Sequence, residues 1–465
     1  MKMRKWGAVL VASLILVLFS KFGFANVTNE EVLKRLNDLS EVIQKQQEEI
    51  RNLKQQLEQQ KSAIQEAGEN QKEQIKAVVK AETKEVEKSW RDKLPEWTNR
   101  IHLAGDFRLR FEDIWGRDQL QKDGSTKSLE SRERVRFRFR FYIDGKVSEE
   151  IMTHFMLVTN QDIYQQAPTS NQTMGFDFND KPFWIGRAYA TYKPKWLEGL
   201  EVGAGKFRMN FYHTDIMWDP DVNPEGAYQS YRYVGSDVFQ PFIYLSQLMV
   251  NENNLDTDAS LFLNQAGFWW KLGSVRWMVA GSYYSWNNMR NSRWLNSATY
   301  KGTGGNTFIQ DSAGNIGYAY DYKLAEAISQ VFFKVGPFPV ELTLNYINNM
   351  ANGVPGGEDY AYLGSFLIGQ HKKKGDYSLY YKYARIGSNA VVGALNDQDF
   401  YGANRKGHKV AIQYLPINNL ILRGAFFYTD PVTMWNPNSP TFGSPYNDRD
   451  RMHENRVQFD CIFTF

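Results

Sequence analysis

Residues 132–144 place Arg134, Arg136, Arg138 and Arg140 at every second position, with Val135, Phe137, Phe139, Phe141 and Ile143 between them. A period of two is a β-strand whose two faces differ, one suited to hydrocarbon and one fully charged. An arginine facing lipid at mid-depth costs roughly 2–4 kcal/mol, so four in a row must face a polar interior. Residues 101–112 repeat the pattern. Ile101, Leu103, Phe107, Leu109 and Phe111 alternate with His102, Asp106, Arg108, Arg110 and Glu112. At the C-terminus Val457, Phe459, Cys461, Phe463 and Phe465 share one face, while Gln458, Asp460 and Thr464 lie on the other, with Ile462 the exception. Such strands predict a closed antiparallel barrel, oily outside and wet inside.

Composition agrees. A mean hydropathy of −0.53 would suit a soluble protein, yet 15% of the chain is aromatic, with 30 Phe, 26 Tyr and 13 Trp. A transmembrane barrel reconciles the two, because its strands alternate in polarity while its interfacial girdles require aromatic residues. The single Cys461 excludes an intrachain disulfide. A net charge of +3 gives no argument for a nucleic-acid partner.

The first hundred residues read differently. Lys2, Arg4 and Lys5 precede the apolar run from Trp6 to Phe19, and Gly23-Phe24-Ala25 offers a small-x-small cleavage pattern. Residues 1–25 are therefore expected to be a secretory signal, the run being short of the roughly 20 residues of a spanning helix. Residues 26–95 are expected to form an α-helical coiled coil. Val32, Leu36, Leu39, Ile43, Ile50, Leu53, Leu57 and Ile64 recur at spacings of four and three, with Gln46 and Gln60 at the seam positions that interrupt them. The phase slips near Gly68, Ile75, Val79, Val86 and Trp90 resume it, and Pro95 ends it. The other reading is a single solvated helix held by Glu/Lys pairs.

From residue 100 the pattern predicts about 16 strands, near 101–112, 132–144, 148–160, 182–193, 199–209, 226–235, 238–250, 258–272, 274–287, 322–336, 338–348, 358–371, 375–386, 405–415, 418–429 and 454–465. Short turns (Asp144-Gly145-Lys146, 193–198, Gly273-Ser274, Gly336-Pro337, 372–375 and Pro416-Ile417-Asn418) alternate with loops at 113–131, 161–181, 208–225, 251–257, 288–321, 349–357, 387–404 and 430–453. An even strand number puts both termini on the side of the short turns, so the coil is expected in the periplasm. A barrel of this size encloses a channel.

The sequence resembles the putative porin family of diderm bacteria. The likeness rests on Gly105-Asp106-Phe107-Arg108-Leu109-Arg110-Phe111-Glu112, the arginine-rich second strand, Arg187-Ala188-Tyr189, Gly205-Lys206 and the run from Trp218 to Gly226. It implies an outer-membrane channel for passive diffusion of small hydrophilic solutes or ions, surrounded by lipid and lipopolysaccharide and assembled as a homotrimer. Phe465 resembles the terminal residue that marks barrels for the barrel-assembly machinery. In porin-like barrels the third long loop folds into the lumen. Here that loop carries Asp215, Asp219, Asp221 and Glu225, which would face Arg108, Arg110, Arg134, Arg136, Arg138 and Arg140 across a charged constriction.

Other readings stay open. The arginines can be wall-filling ion pairs with Asp106, Glu112, Glu133 and Asp144. Asp219, Asp221 and Glu225 can hold Ca²⁺, although Pro220 and Pro224 break the spacing of an EF-hand, and no metal is expected. Tyr380, Tyr381, Tyr383, Phe426, Phe427 and Tyr428 can be girdle residues or a sugar-stacking surface. The six His show no HExxH or paired-ligand spacing, so neither an enzyme nor a cofactor is expected. The competing function is a structural tether, its coil contacting peptidoglycan and its barrel closed.

Overall fold

The computed structural model describes residues 96–465 apart from 122, 124, 161–168, 176, 253–256, 291–303, 311–315, 401 and 435–452, together with 41, 42, 44–46, 48–59 and 78. The chain divides into two units, Met1–Pro95 and Glu96–Phe465. In the first, the described residues are helical, and the apolar side chains of Val42, Ile50, Leu53 and Leu57 are exposed. The signal segment and most of the heptad pattern lie outside the described residues.

The second unit begins with a 3-10 turn, Glu96–Arg100, and continues into 16 barrel strands. The first six are β1 (Ile101–Trp115), β2 (Arg132–Lys146), β3 (Ile151–Thr159), β4 (Phe183–Tyr192), β5 (Leu200–Lys206) and β6 (Glu225–Arg232). Then come β7 (Phe239–Asn251), β8 (Ala259–Leu272), β9 (Val275–Asn287), β10 (Lys323–Val335) and β11 (Phe338–Asn349). The last five are β12 (Tyr360–Gly369), β13 (Tyr377–Ile386), β14 (Arg405–Ile417), β15 (Leu420–Pro431) and β16 (Glu454–Thr464). Each pairs antiparallel with its sequence neighbours, and β1 pairs with both β2 and β16. The sheet is a closed 16-strand antiparallel barrel, so it has no edge. Among the described residues no helix is long and apolar enough to cross a membrane.

Two turns differ from the sequence reading. Asp144, Gly145 and Lys146 still belong to β2, and the turn is 147–150, because the alternation continues through Ile143 opposite Leu103. Pro416 and Ile417 end β14 through a register irregularity after Tyr414, and the turn is Asn418-Asn419 with Asn419 at a φ of 66°.

The outer face carries Leu, Ile, Val and Phe, of which Leu342, Leu344, Ile368, Ile412, Leu422, Phe459 and Phe463 are exposed. Inside, two loops leave the wall and fold inward. Residues 207–224 bring Phe207, Phe211, Ile216, Met217 and Trp218 into one dry cluster with Val391, Val392 and Phe400 from residues 387–404. Inward residues of β6–β15, including Tyr244, Leu263, Trp286, Leu324, Ile347 and Phe427, complete that cluster. The loops are joined backbone to backbone. Asp219 N donates to Leu395 O at 2.7 Å, and Asp397 N donates to Asp215 O at 3.0 Å. Burying these groups unpaired would be costly, so the loops satisfy each other. The interior is thus dry and aromatic on one side and charged on the other, where β16, β1, β2 and β3 meet.

Candidate functional site

All six predicted arginines are on the inner face of β1 and β2, because each lies an even number of residues from the next. They do not stand free in water. Arg110 is only 2% exposed, and Arg108, Arg136 and Arg138 are also buried. The cover is supplied by the two inward loops and by residues 169–173, of which Gln172–Thr173 adds a short strand against Arg136 and Phe137.

The arginines hold a layered set of partners. Arg110 forks onto Asp460 with Nε–Oδ1 at 2.6 Å and Nη2–Oδ2 at 2.9 Å, and its Nη1 donates to Asp399 at 2.8 Å. Arg456 donates to the other oxygen of Asp399 at 2.9 Å. Arg134 pairs with Glu112, which also accepts from Gln458 at 2.8 Å. Arg138 and Arg140 share Asp106 at 2.7 and 2.6 Å. Arg108 donates to Asn171, and its guanidinium lies between Arg110 and Arg138. Buried forked pairs of this kind are geometrically specific.

The loop carboxylates divide. Asp221 faces the wall, with Arg138 and Arg140 at 4.0 and 3.9 Å, and accepts from Ser170 N and Oγ at 3.0 and 2.6 Å. Burial alone would raise its pKa, but Arg138 and Ser170 outweigh burial and hold it below the usual value. Asp215 meets Lys382 at 2.7 Å and Lys409 at 3.9 Å rather than an arginine. Asp219 accepts from Asp221 N at 2.8 Å. Burial, with Asp221 and Asp397 nearby, pushes its carboxyl well above the usual range. Glu225 is not in the loop. It opens β6 on the outer face, opposite Lys206, whose Nζ is 2.6 Å away. The candidate Ca²⁺ set is therefore split across the wall, and no group of three or more His, Cys, Asp or Glu that could hold a metal is found among the described residues.

Residues the sequence reading missed complete the zone. Asp397 and Asp399 come from the loop at 387–404, Asp460 and Arg456 from β16, and Lys382 and Lys409 from β13 and β14. Lys382 lies 4.3 Å over the Phe400 ring and Lys409 4.8 Å over Phe427, so aromatic faces support both cations. Strand alternation alone places Lys382, Lys409, Arg456 and Asp460 inward. Asp397 and Asp399 had no comparable signal. Of the proposed wall partners, Asp106 and Glu112 bind arginines, Glu133 faces outward, and Asp144 bonds His154 at 2.7 Å. Tyr381, Tyr383, Phe426 and Tyr428 share the outer face, whereas Phe427 is buried inside.

Two cavities follow this charged side. One of about 410 Å³ is lined by Tyr142, Asp144, His154, Arg187, Glu201 and Arg208, among others. The second, of about 300 Å³, is lined by Arg140, Ser170, Arg187, Lys206, Asp221 and Asn223, among others. Arg187 borders both, and its Nε donates to Asn223 at 2.6 Å.

The family model described as "Putative porin" matches residues 41–128 and 117–313, more than half of the 465-residue chain. The chain belongs to the putative porin family. Among solved structures, OprB of Pseudomonas putida is 11% identical with a TM-score of 0.49, over 79% of this chain and 95% of that one. The outer membrane channel DcaP of Acinetobacter baumannii is 13% identical with a TM-score of 0.42, over 78% and 97%. Salmonella typhi OmpF, solved in complex with daunomycin, is 10% identical with a TM-score of 0.44, over 78% and 97%. No curated protein matches the sequence.

Proposed function

We propose that this porin-family chain conducts small hydrophilic solutes or ions passively across the outer membrane of a diderm bacterium. Selectivity would come from a charged constriction in which Arg108, Arg110, Arg134, Arg136, Arg138 and Arg140 oppose Asp221 and Asp399. The observation that carries the reading is the divided interior. Two polar cavities share Arg187 along the β2–β5 side, while the opposite side is sealed by apolar packing. A solute passing there crosses a transverse field between fixed cations and carboxylates, which orients polar molecules and disfavours lipophilic ones. No chemical step is involved. Residues 26–95 are proposed as a periplasmic coil, with a homotrimer as the assembly and Phe465 as the assembly signal.

Single-channel current of the purified protein in a planar bilayer tests this. Stable steps with a salt-gradient reversal potential are expected, and silence from folded protein would refute conduction. One observation favours a second reading. Two loops fill much of the lumen, which suits a structural tether with a closed barrel. Deleting residues 26–95 separates them, because a channel still conducts while a tether loses its attachment to the cell wall.

A further inference from the structure

The larger cavity, of about 410 Å³, lies at the end of the lumen that carries the short turns 147–150 and 193–199, since Asp144, Lys193 and Glu201 beside those turns all line it. Register sets Tyr142, Met156 and Arg187 in one inward row of β2, β3 and β4, and Asp144, His154 and Tyr189 in the next. Arg208 reaches the cavity by another route. After β5 the chain turns inward at Phe207, whose ring lies 6.3 Å from Tyr189 and 4.7 Å from Tyr228. Asn210 then reaches back to Glu201, its Nδ2 donating at 3.2 Å. That return places Arg208 on the cavity wall.

The charges here are unevenly satisfied. Asp144 bonds His154 at 2.7 Å, and Glu201 accepts from Lys193 at 2.7 Å and from the Tyr228 hydroxyl at 2.6 Å. The two arginines have no such partners. They are close enough to repel each other, and among the described residues neither forms an ion pair. Arg187 donates only from Nε, to Asn223 at 2.6 Å, and Arg208 makes no hydrogen bond among the described residues. Two such cations in one recess attract an anion, and their planar forks suit a carboxylate or phosphate. The rest of the wall offers acceptors. Asp144 and Glu201 keep lone pairs beyond those their protein donors use, and the hydroxyls of Tyr189 and Thr191 stand beside them. One face of the Tyr189 ring is taken by His154 at 4.5 Å, and Arg187 lies 5.7 Å over Tyr142.

We propose that this cavity binds a monosaccharide carrying an anionic group, with Arg187 and Arg208 gripping the anion and Asp144 and Glu201 accepting from ring hydroxyls. The proposal deepens the channel reading above and rests on it. The volume lies within the roughly 300–1,000 Å³ of small-molecule sites. A neutral sugar leaves the two arginines repelling each other. A simple anion leaves the carboxylates to water alone. A sugar acid or sugar phosphate answers both halves of the wall at once. Because Arg187 also borders the cavity that holds Arg140 and Asp221, a bound anion can move between the two without losing its grip on that guanidinium.

Isothermal titration calorimetry of the folded, detergent-solubilised full chain tests this, with sodium galacturonate and galactose phosphate as probes. Saturable binding of at least one is expected, and the tighter of the two shows whether the anion is a carboxylate or a phosphate. Galactose, sodium acetate and inorganic phosphate should each bind at least about tenfold more weakly, because each forfeits one set of charge-assisted hydrogen bonds. Arg208→Gln removes no protein contact, so heat-shifted gel mobility should be unchanged while the charged sugar binds about tenfold more weakly. The proposal is overturned if neither charged sugar binds, if galactose, acetate or phosphate binds as tightly, or if Arg208→Gln binds like the parent. Current from the same preparations separates the two readings. Conducting protein that binds no charged sugar rejects the site and leaves the channel standing. Binding by protein that never conducts keeps the site and removes the channel.

Discussion

Replacing Asp221 with asparagine tests whether ions pass between the inward loop and the arginine wall. Asp221 accepts from Ser170 N and Oγ, and an asparagine carbonyl can still accept there, so the loop keeps its anchor. What disappears is one negative charge bordering the 300 Å³ cavity. Two unit charges about 4 Å apart interact by about 1 kcal/mol in bulk water and about 4 kcal/mol at an effective dielectric of 20. Arg138 and Arg140, 4.0 and 3.9 Å from the carboxylate, offset part of its field, so the lower figure is the safer one. At about 1.4 kcal/mol per factor of ten, it corresponds to roughly a fivefold rise in the chloride-to-potassium permeability ratio. Reversal potential under a KCl gradient reads this directly, and a displacement of tens of millivolts toward chloride selectivity is expected. An unchanged reversal potential would refute the reasoning, provided circular dichroism and heat-shifted gel mobility match the parent. Ions would then not pass Asp221, and the route along Arg140 would be wrong.

Three further outcomes can be checked. Because burial beside Asp221 and Asp397 raises the Asp219 carboxyl, its contribution to loop–loop docking is fully present below the unfolded value near 3.9 and is lost as pH rises through the raised folded value. Current fluctuations should grow with pH in the parent and stay flat in Asp219→Asn. Lys382→Met leaves Asp215 buried with only Lys409 at 3.9 Å, which should destabilise by about 3–5 kcal/mol, while adding Asp215→Leu should restore most of the loss, read by urea unfolding. Gly105→Ala would place a Cβ about 2.7 Å from Arg140 O and against the Phe465 ring, so heat-modifiable folded protein should fall more than for Phe465→Leu.

The strands were legible because a barrel wall has two solvents, and each residue must choose one. All 16 expected segments coincide with barrel strands, and β6 and β7 were legible although they are joined by only 233–238. The inward direction of Arg134 to Arg140 followed from the same alternation. Their burial did not, since it depends on Asp399 and Asn171 arriving from distant loops whose path no periodicity encodes. Glu225 shows the limit at a boundary. Its acidic neighbours suggested a loop, but pairing with Lys206 makes it the first residue of a strand and turns it outward. Asp215 was expected beside the arginines and instead binds Lys382, a partner 167 residues away.

The closure of β1 onto β16 has a consequence for how the chain is built. Arg110 and Asp460 are 350 residues apart, and Arg110 and Asp399 are 289 apart. Contacts of such long range form late, after the entropy of closing a very large loop has been overcome. A nascent chain lacking β16 therefore keeps Asp399 for Arg110 but lacks the forked Asp460, and its first strand has an unpaired edge that hydrocarbon rejects. The ion network acts as a completeness check on biogenesis. Insertion becomes favourable only when the two ends of the sheet have met, so an incomplete chain stays outside the membrane, within reach of chaperones and proteases.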